Sequence, residues 1–238
     1  MRSDSKLFKR NLGKVFYCIG LTADYAYRPF DAVEAHVSFL ARFLKQARFD
    51  KLVYLSSTRL YDELQAKVCR EDEDLLFNPS NPRQIYNLSK ALGENLCMTA
   101  SSGRASVARL SSVYDDTPGS PGFLSELLQR LRTEQEFTLD SSSGIVRDYV
   151  AVGDVLNALK AILDINRHEV FNVASGENVS NQDIVDTINE FGFQINLSQN
   201  SDRQNAPVSD ISKVLEIGVR PILVRNYLQI FLKKLRQQ

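Results

Sequence analysis

The stretch that decides the fold is Leu52-Val53-Tyr54-Leu55-Ser56-Ser57-Thr58. A short apolar run that ends in hydroxyl residues predicts a buried strand with Ser56 to Thr58 at its carboxyl end. Upstream, Val15-Phe16-Tyr17-Cys18-Ile19 is a second such run, ended by Gly20. Between the two, Asp31 to Arg48 carries Val33, Val37, Leu40 and Leu44 at helical spacing. Downstream, residues 62–83 are charged and rich in Pro and Asn, which reads as loop. Gln84 to Ala100 then places Ile85, Leu88, Leu92 and Leu96 on one helical stripe, and Ser106 to Leu110 predicts a third strand. After the turn Pro118–Gly122, helices are predicted over Phe123–Arg132 and Val152–Ile165, and strands at Phe137–Leu139 and Val170–Val173. Ser180-Asn181-Gln182-Asp183 reads as a helix start with an acidic third residue, and Ile222 to Leu235 as a closing basic amphipathic helix. Strands alternating with helices imply βαβ units, a parallel sheet and the α/β class.

The chain has 238 residues, with 29 basic and 29 acidic side chains and a net charge of zero. That balance argues against a general nucleic-acid or anionic-membrane partner, which requires a basic face. No apolar run approaches the roughly 18 residues of a membrane helix, and Met1 to Arg10 is polar, without an apolar signal core. Cys18, Cys69 and Cys97 are odd in number and widely spaced, which suggests a reducing, cytoplasmic setting rather than a disulfide framework. His36 and His168 lie far apart and share no ligand spacing with a cysteine, so no metal site is expected.

Tyr86 and Lys90 form Y-x-x-x-K within the predicted helix Gln84–Ala100. Residues four apart share one helical face. An ammonium near a phenol favours the phenolate and lowers a pKa that is ordinarily near 10. Such a tyrosine can exchange a proton with a substrate hydroxyl or carbonyl. The pair alone is common on solvated helices. It gains weight from Ser56-Ser57-Thr58, because the carboxyl ends of parallel strands are where ligands bind.

Leu52 to Tyr61, followed by Tyr86-Asn87-Leu88-Ser89-Lys90, resembles the extended short-chain dehydrogenase/reductases, and more narrowly the NAD-dependent epimerase/dehydratase group that acts on nucleotide sugars. Arg109-Leu110-Ser111-Ser112-Val113-Tyr114 is similar to that group's R-x-x-N-x-Y-G segment. Arg147 to Val155 is similar to its R-D-[FY]-[VI]-H-V-x-D-[VL] segment, and Phe171 to Glu177 to its Y-N-V-G-S-G-E segment. These matches occur in order from residue 52 to residue 177.

The resemblance implies roles residue by residue. Ser57 would orient the reacting oxygen, Tyr86 would be the general acid/base, and Lys90 would lower its pKa and hold the nicotinamide ribose. Cys18, Ile19, Gly20, His36, Ser56 and Leu110 would face the cofactor, NAD or NADP. Thr58, Ser112 and Arg147 would face a nucleotide-sugar substrate, with Arg147 on the diphosphate. Thr58-Arg59 stands where the dehydratases carry an acidic pair, so an epimerase or ketoreductase is favoured over a dehydratase. Ser112 stands where a substrate-contacting Asn is usual, and Asp115-Asp116 replaces the following Gly-Pro. The family opens with a G-x-x-G-x-x-G turn that seats the cofactor pyrophosphate. Only 14 residues precede Val15 here, with Gly13 their single glycine.

The implied fold is an N-terminally truncated, Rossmann-like doubly wound parallel sheet with a smaller C-terminal α/β substrate-binding part. Residues 1–115 would carry the triad, and residues 116–238 would complete the sheet and form the substrate side. Val15 to Ile19 would be an exposed edge, covered by a longer natural chain, a partner or a second copy unless the protein is a remnant. Cofactor binding by this chain alone is expected to be weak or absent. A homodimer through Asp31–Arg48 and Gln84–Ala100 would follow the family pattern. Two other readings stay open: a non-catalytic nucleotide-sugar- or partner-binding remnant of the same scaffold, and an interaction module using Lys233, Lys234 and Arg236.

Overall fold

The computed structural model describes residues 7–21 and 24–237, so the polar segment Met1 to Arg10 lies partly outside them. In chain order the strands are β1 (Lys14–Tyr17), β2 (Lys51–Ser57), β3 (Val68–Cys69), β4 (Ala105–Leu110), β5 (Ser112–Tyr114), β6 (Glu136–Ser142), β7 (Val146–Ala151), β8 (Val170–Val173), β9 (Asn178–Ser180), β10 (Gln194–Gln199) and β11 (Val208–Ser209). The helices are α1 (Pro29–Val33), α2 (Phe39–Gln46), α3 (Ile85–Ala100), α4 (Phe123–Arg130), α5 (Val152–Asp164), α6 (Asn181–Asn189), α7 (Ser212–Glu216) and α8 (Val224–Leu235).

β1, β2, β4 and β8 form one parallel sheet in the order β1-β2-β4-β8. Successive side chains of β2 point to opposite faces. Leu52 and Tyr54 join Tyr17, Leu40, Phe43, Cys97 and Val107 under α2 and α3. Val53 joins Ala108, Leu159, Ile162 and Phe171 under α5. Helices cover both faces, which is why β2 reads as a continuous apolar run rather than an alternating one. Among the described residues β1 pairs only with β2, and Phe16 and Ile19 are 42% and 39% exposed, so the expected edge is present.

α1 and α2 are joined by a π-turn over Glu34–Ser38, and the predicted helix Asp31–Arg48 is this composite stretch. β5, β7 and β9, with β5 and β7 parallel and β9 antiparallel to β7, form a second sheet. β6 and β10 pair in parallel nearby. A separate core gathers Tyr114, Leu124, Leu128, Phe137, Ile188, Ile195, Leu228 and Leu232 from these strands and from α4, α6 and α8. α6 starts as read: Ser180 Oγ accepts from the Asp183 N–H at 3.0 Å and the Asp183 carboxylate accepts from the Ser180 N–H at 2.8 Å.

Candidate active site

The carboxyl ends of β1, β2 and β4 share one rim, and α3 passes beside it. β2 ends at Ser57, where the chain turns into a short 3₁₀ segment, Thr58–Tyr61. Ser57 Oγ accepts from the Arg59 N–H at 3.2 Å, which leaves its own proton free to donate. The Asn87 side-chain amide donates to the Arg59 carbonyl at 3.2 Å and ties this turn to α3 next to Tyr86.

Tyr86 is buried, and burial raises its pKa above the usual phenol range. The Ser57 hydroxyl and the Arg59 guanidinium act against that rise because both favour the phenolate. One turn further along α3, Lys90 is 6% exposed. Its Nζ donates to the Leu55 carbonyl at 2.7 Å and lies 5.9 Å from the Tyr86 ring centre. Burial pulls its pKa from 10.5 down to about 8, with Glu94 and Cys18 opposing.

His36 sits in the π-turn and is fully buried, with its ring edge-on to Tyr86 at 5.5 Å. Its Nε2 accepts from the Leu21 N–H at 3.2 Å, so the proton lies on Nδ1, which donates to Ser89 Oγ at 2.8 Å. Ser89 passes the chain on to the Tyr86 carbonyl at 2.9 Å. Burial and the nearby Lys90 lower the His36 pKa to about 3, so the ring is neutral. Both ring nitrogens are engaged inside the protein, and the histidine pins the Cys18–Leu21 turn to α3. Gly20 lies against this pair: a Cβ there would stand 3.0 Å from His36 Nε2 and 3.4 Å from Lys90 Nζ.

A cleft of about 500 Å³ opens on the rim. Ser56, Ser57, Thr58, Tyr86, Leu110 and Ser112 line it, with Arg147 at an exposed position. Cys18, Ile19 and Gly20 follow the end of β1, and Cys18 lies close enough to Lys90 for the two to influence each other's titration. Ser56 Oγ is buried and has no hydrogen-bond partner among the described residues.

Sequence reasoning missed four positions. Arg59 lies over the Tyr86 ring at 4.9 Å and donates to the Tyr25 hydroxyl at 2.9 Å. Tyr25 packs on Tyr86 with ring centres 5.0 Å apart. Asp148 accepts from Ser111 Oγ, the Ser175 N–H and hydroxyl, and the Gly176 N–H at 2.8–3.1 Å. One buried carboxylate thereby ties together three of the segments quoted above. Glu94 holds Arg109 through contacts of 2.7–3.2 Å, Arg109 Nη1 donates to the Tyr61 hydroxyl at 2.7 Å, and Tyr61 donates to Asn172 Oδ1 at 2.8 Å. The aromatic and charged character of Tyr25 and Arg59 carries no periodic signal; only their position beside the Ser57 turn could have marked them.

Among the described residues no group of three or more His, Cys, Asp or Glu could hold a metal ion, and no helix is long and apolar enough to cross a membrane.

Comparison with known proteins bears on this arrangement. The model of the NAD dependent epimerase/dehydratase family matches residues 5–174. The dTDP-4-dehydro-6-deoxyglucose reductase of Escherichia coli is 26% identical over 208 residues, which cover 81% of this chain and 63% of the reductase. The chain spans 63% and 61% of the lengths of two curated relatives that it matches. Among solved structures, the UDP-glucose 4-epimerase of Thermotoga maritima with UDP-glucose superposes with a TM-score of 0.74 at 19% identity, covering 94% of this chain and 77% of that one. MoeE5 in complex with UDP-glucose and NAD gives 0.72 at 23% identity, with 94% and 79% covered. At these identities the two structures share the Rossmann-like α/β fold. With the family model covering most of its length, this chain belongs to the NAD-dependent epimerase/dehydratase family.

Proposed function

We propose that this chain carries the catalytic end of an NAD- or NADP-dependent epimerase or ketoreductase that acts at a sugar carbon of a nucleotide sugar. The observation that carries the reading is the gathering of Ser57, Tyr86 and Lys90 at one strand rim: Ser57 and Tyr86 line a cleft together with the exposed Arg147, and Lys90, buried behind them, lies beside Gly20. Residues 1–115 would hold this triad, and residues 116–238 would supply the substrate side.

The residues present fit the nicotinamide end of the cofactor. Gly20 leaves room that a side chain would fill, and Ser56 Oγ is a buried polar atom with no partner among the described residues. Lys90 Nζ has three donors, of which the Leu55 carbonyl takes one. Gly20, Lys90, Ser56 and the Leu110 backbone would hold that end, and the bound nicotinamide supplies hydride transfer to or from the sugar carbon. The Ser57 hydroxyl orients the substrate oxygen. Tyr86 takes a proton from the sugar hydroxyl or returns one to the ketone. The Lys90 ammonium offers its free donors to ribose hydroxyls, and the Arg147 guanidinium suits a diphosphate. Arg59 occupies the place where a dehydratase would need a carboxylic acid, which keeps elimination of water below epimerisation and ketone reduction.

These 238 residues hold no G-x-x-G-x-x-G turn for a pyrophosphate, so we expect NAD and NADP binding by this chain alone to be weak or absent. Titration followed by nicotinamide fluorescence tests that expectation, and micromolar affinity would refute it. The catalytic reading is tested by Tyr86→Phe, assayed against a panel of nucleotide sugars and 4-keto sugars. Loss of the acid/base should cost about 10²- to 10⁴-fold in turnover. Turnover unchanged by the substitution sinks the reading and leaves the scaffold as a binding protein.

A further inference from the structure

We propose that Arg59 is a positioning residue for Tyr86: it forms a permanent cationic lid on the phenol and, together with Ser57, sets the ease with which Tyr86 releases its proton. The inference rests on the reading of Tyr86 as the acid/base. The guanidinium lies 4.9 Å from the Tyr86 ring centre and 5.3 Å from that of Tyr25, and those two rings are 5.0 Å apart. One hydrogen bond holds the guanidinium and two anchor the Arg59 backbone. Nη2 donates to the Tyr25 hydroxyl at 2.9 Å, the backbone N–H donates to Ser57 Oγ at 3.2 Å, and the backbone carbonyl accepts from Asn87 at 3.2 Å. The same residue therefore orients the Ser57 hydroxyl and supplies charge to Tyr86.

Lys90, the cation that the Y-x-x-x-K spacing points to, is less well placed for this task. Its Nζ is 5.9 Å from the Tyr86 ring centre, closer to the Tyr54 ring at 5.0 Å, and is committed to the Leu55 carbonyl. Its charge also fades above about pH 8, whereas a guanidinium stays charged throughout. The groups facing Tyr86 are Ser57, Arg59 and Asp62 from the β2 turn, Tyr25 before α1, neutral His36 from the π-turn, and Lys90 from α3 itself. Asp62 works against the phenolate, and its carboxylate stands 3.8 Å from Arg59 Nε, so the arginine also offsets that nearby anion.

The test reads the proton affinity of Tyr86 without turnover, so it can fail while the catalytic reading stands, and the reverse. A fluorinated tyrosine incorporated at position 86 brings the titration into a range where the protein is folded and gives a single ¹⁹F signal. Arg59→Gln should raise its midpoint by about one pH unit, since an opposite charge within about 4–6 Å commonly shifts a titration by one to three units and this one is partly exposed. Arg59→Lys should keep most of the wild-type midpoint, and Tyr25→Phe, which frees the guanidinium without removing it, should move it upward by less. Added salt should raise the wild-type midpoint and leave Arg59→Gln nearly unmoved. A midpoint unchanged in Arg59→Gln, or one that moves further in Lys90→Met, overturns the proposal. If Arg59→Gln fails to fold, the Tyr25→Phe shift and the salt dependence decide: both must be present for the proposal to stand.

Discussion

Gly93 stands in the middle of α3, where alanine is ordinarily the better residue by about 1 kcal/mol. Here the substitution should be destabilising. A Cβ at position 93 would collide with the Tyr54 hydroxyl and lie 2.6 Å from its ring carbon and 2.8 Å from the His36 carbonyl. Tyr54 is completely buried on β2 and has no room to retreat, and the His36 carbonyl is backbone of the π-turn. Forcing a methyl group into a packed core typically costs about 1–3 kcal/mol, and the contact with backbone argues for the upper part of that range. Against the helix-propensity gain, a net loss of roughly 1–2 kcal/mol is expected, read as a lowered urea midpoint with an unchanged slope. Tyr54→Phe in the same chain removes the closest contact but not the other two, so it should restore only part of the loss. Gly153→Ala provides the control. A Cβ there meets nothing within 4 Å, so the same chemical change in the first turn of α5 should be neutral or slightly stabilising. A Gly93→Ala protein as stable as its parent would refute the close packing of α3 on β2 on which the placement of Tyr86 and Lys90 depends.

Two further perturbations probe the buried charges. Glu94→Ala strips the partner from Arg109, which is 4% exposed, and an uncompensated buried guanidinium should cost about 3–5 kcal/mol, visible as a large drop in Tm. For Lys90, the folded-state pKa of about 8 lies below the unfolded value of 10.5, so the unfolded chain binds more protons between those limits. Stability contributed at this site therefore rises with pH from about 8 towards 10.5, and the difference in unfolding free energy between wild type and Lys90→Met should move in favour of the wild type across that window. A flat difference would show that the amine is not desolvated.

Much of the architecture was legible because the central strands are buried on both faces. Val15–Ile19, Leu52–Leu55, Ser106–Leu110 and Val170–Val173 announce themselves as apolar runs, and all four enter the parallel sheet. The strands that escaped notice, β3, β5, β7, β9, β10 and β11, are short or half-polar and take their structure from their neighbours. Arg147–Ala151 resembled a binding motif before it showed itself as β7 running into α5. The π-turn at Glu34–Ser38 left no trace in the 3.6-residue periodicity around it. Tyr86 and Lys90 could be placed on one face from spacing alone, but spacing does not say where an amine points. Only coordinates show Lys90 turned to the Leu55 carbonyl and Arg59 over the phenol. Gly93 offered a clue that went unused: a glycine inside a helical stripe usually answers a close approach.

The segments that resemble the family serve two physical purposes, and separating them bears on whether the protein is an enzyme. Arg109, Asp148, Asn172 and Ser175 are buried, and each is satisfied within the fold: Arg109 by Glu94 and Tyr61, Asn172 by Tyr61 and the Asp210 carbonyl, Ser175 by Asp148. They hold the rim in shape and would be needed equally by a scaffold that only binds. Lys90 is different. Among the described residues no carboxylate forms an ion pair with it, its hydrogen bond is to the Leu55 backbone carbonyl, and burial depresses its pKa, so holding it charged works against the fold. A methionine would fill that space without the penalty. A buried ammonium that works against the fold, held at the strand rim beside Gly20, is the kind of group that the proposed catalytic reading would need.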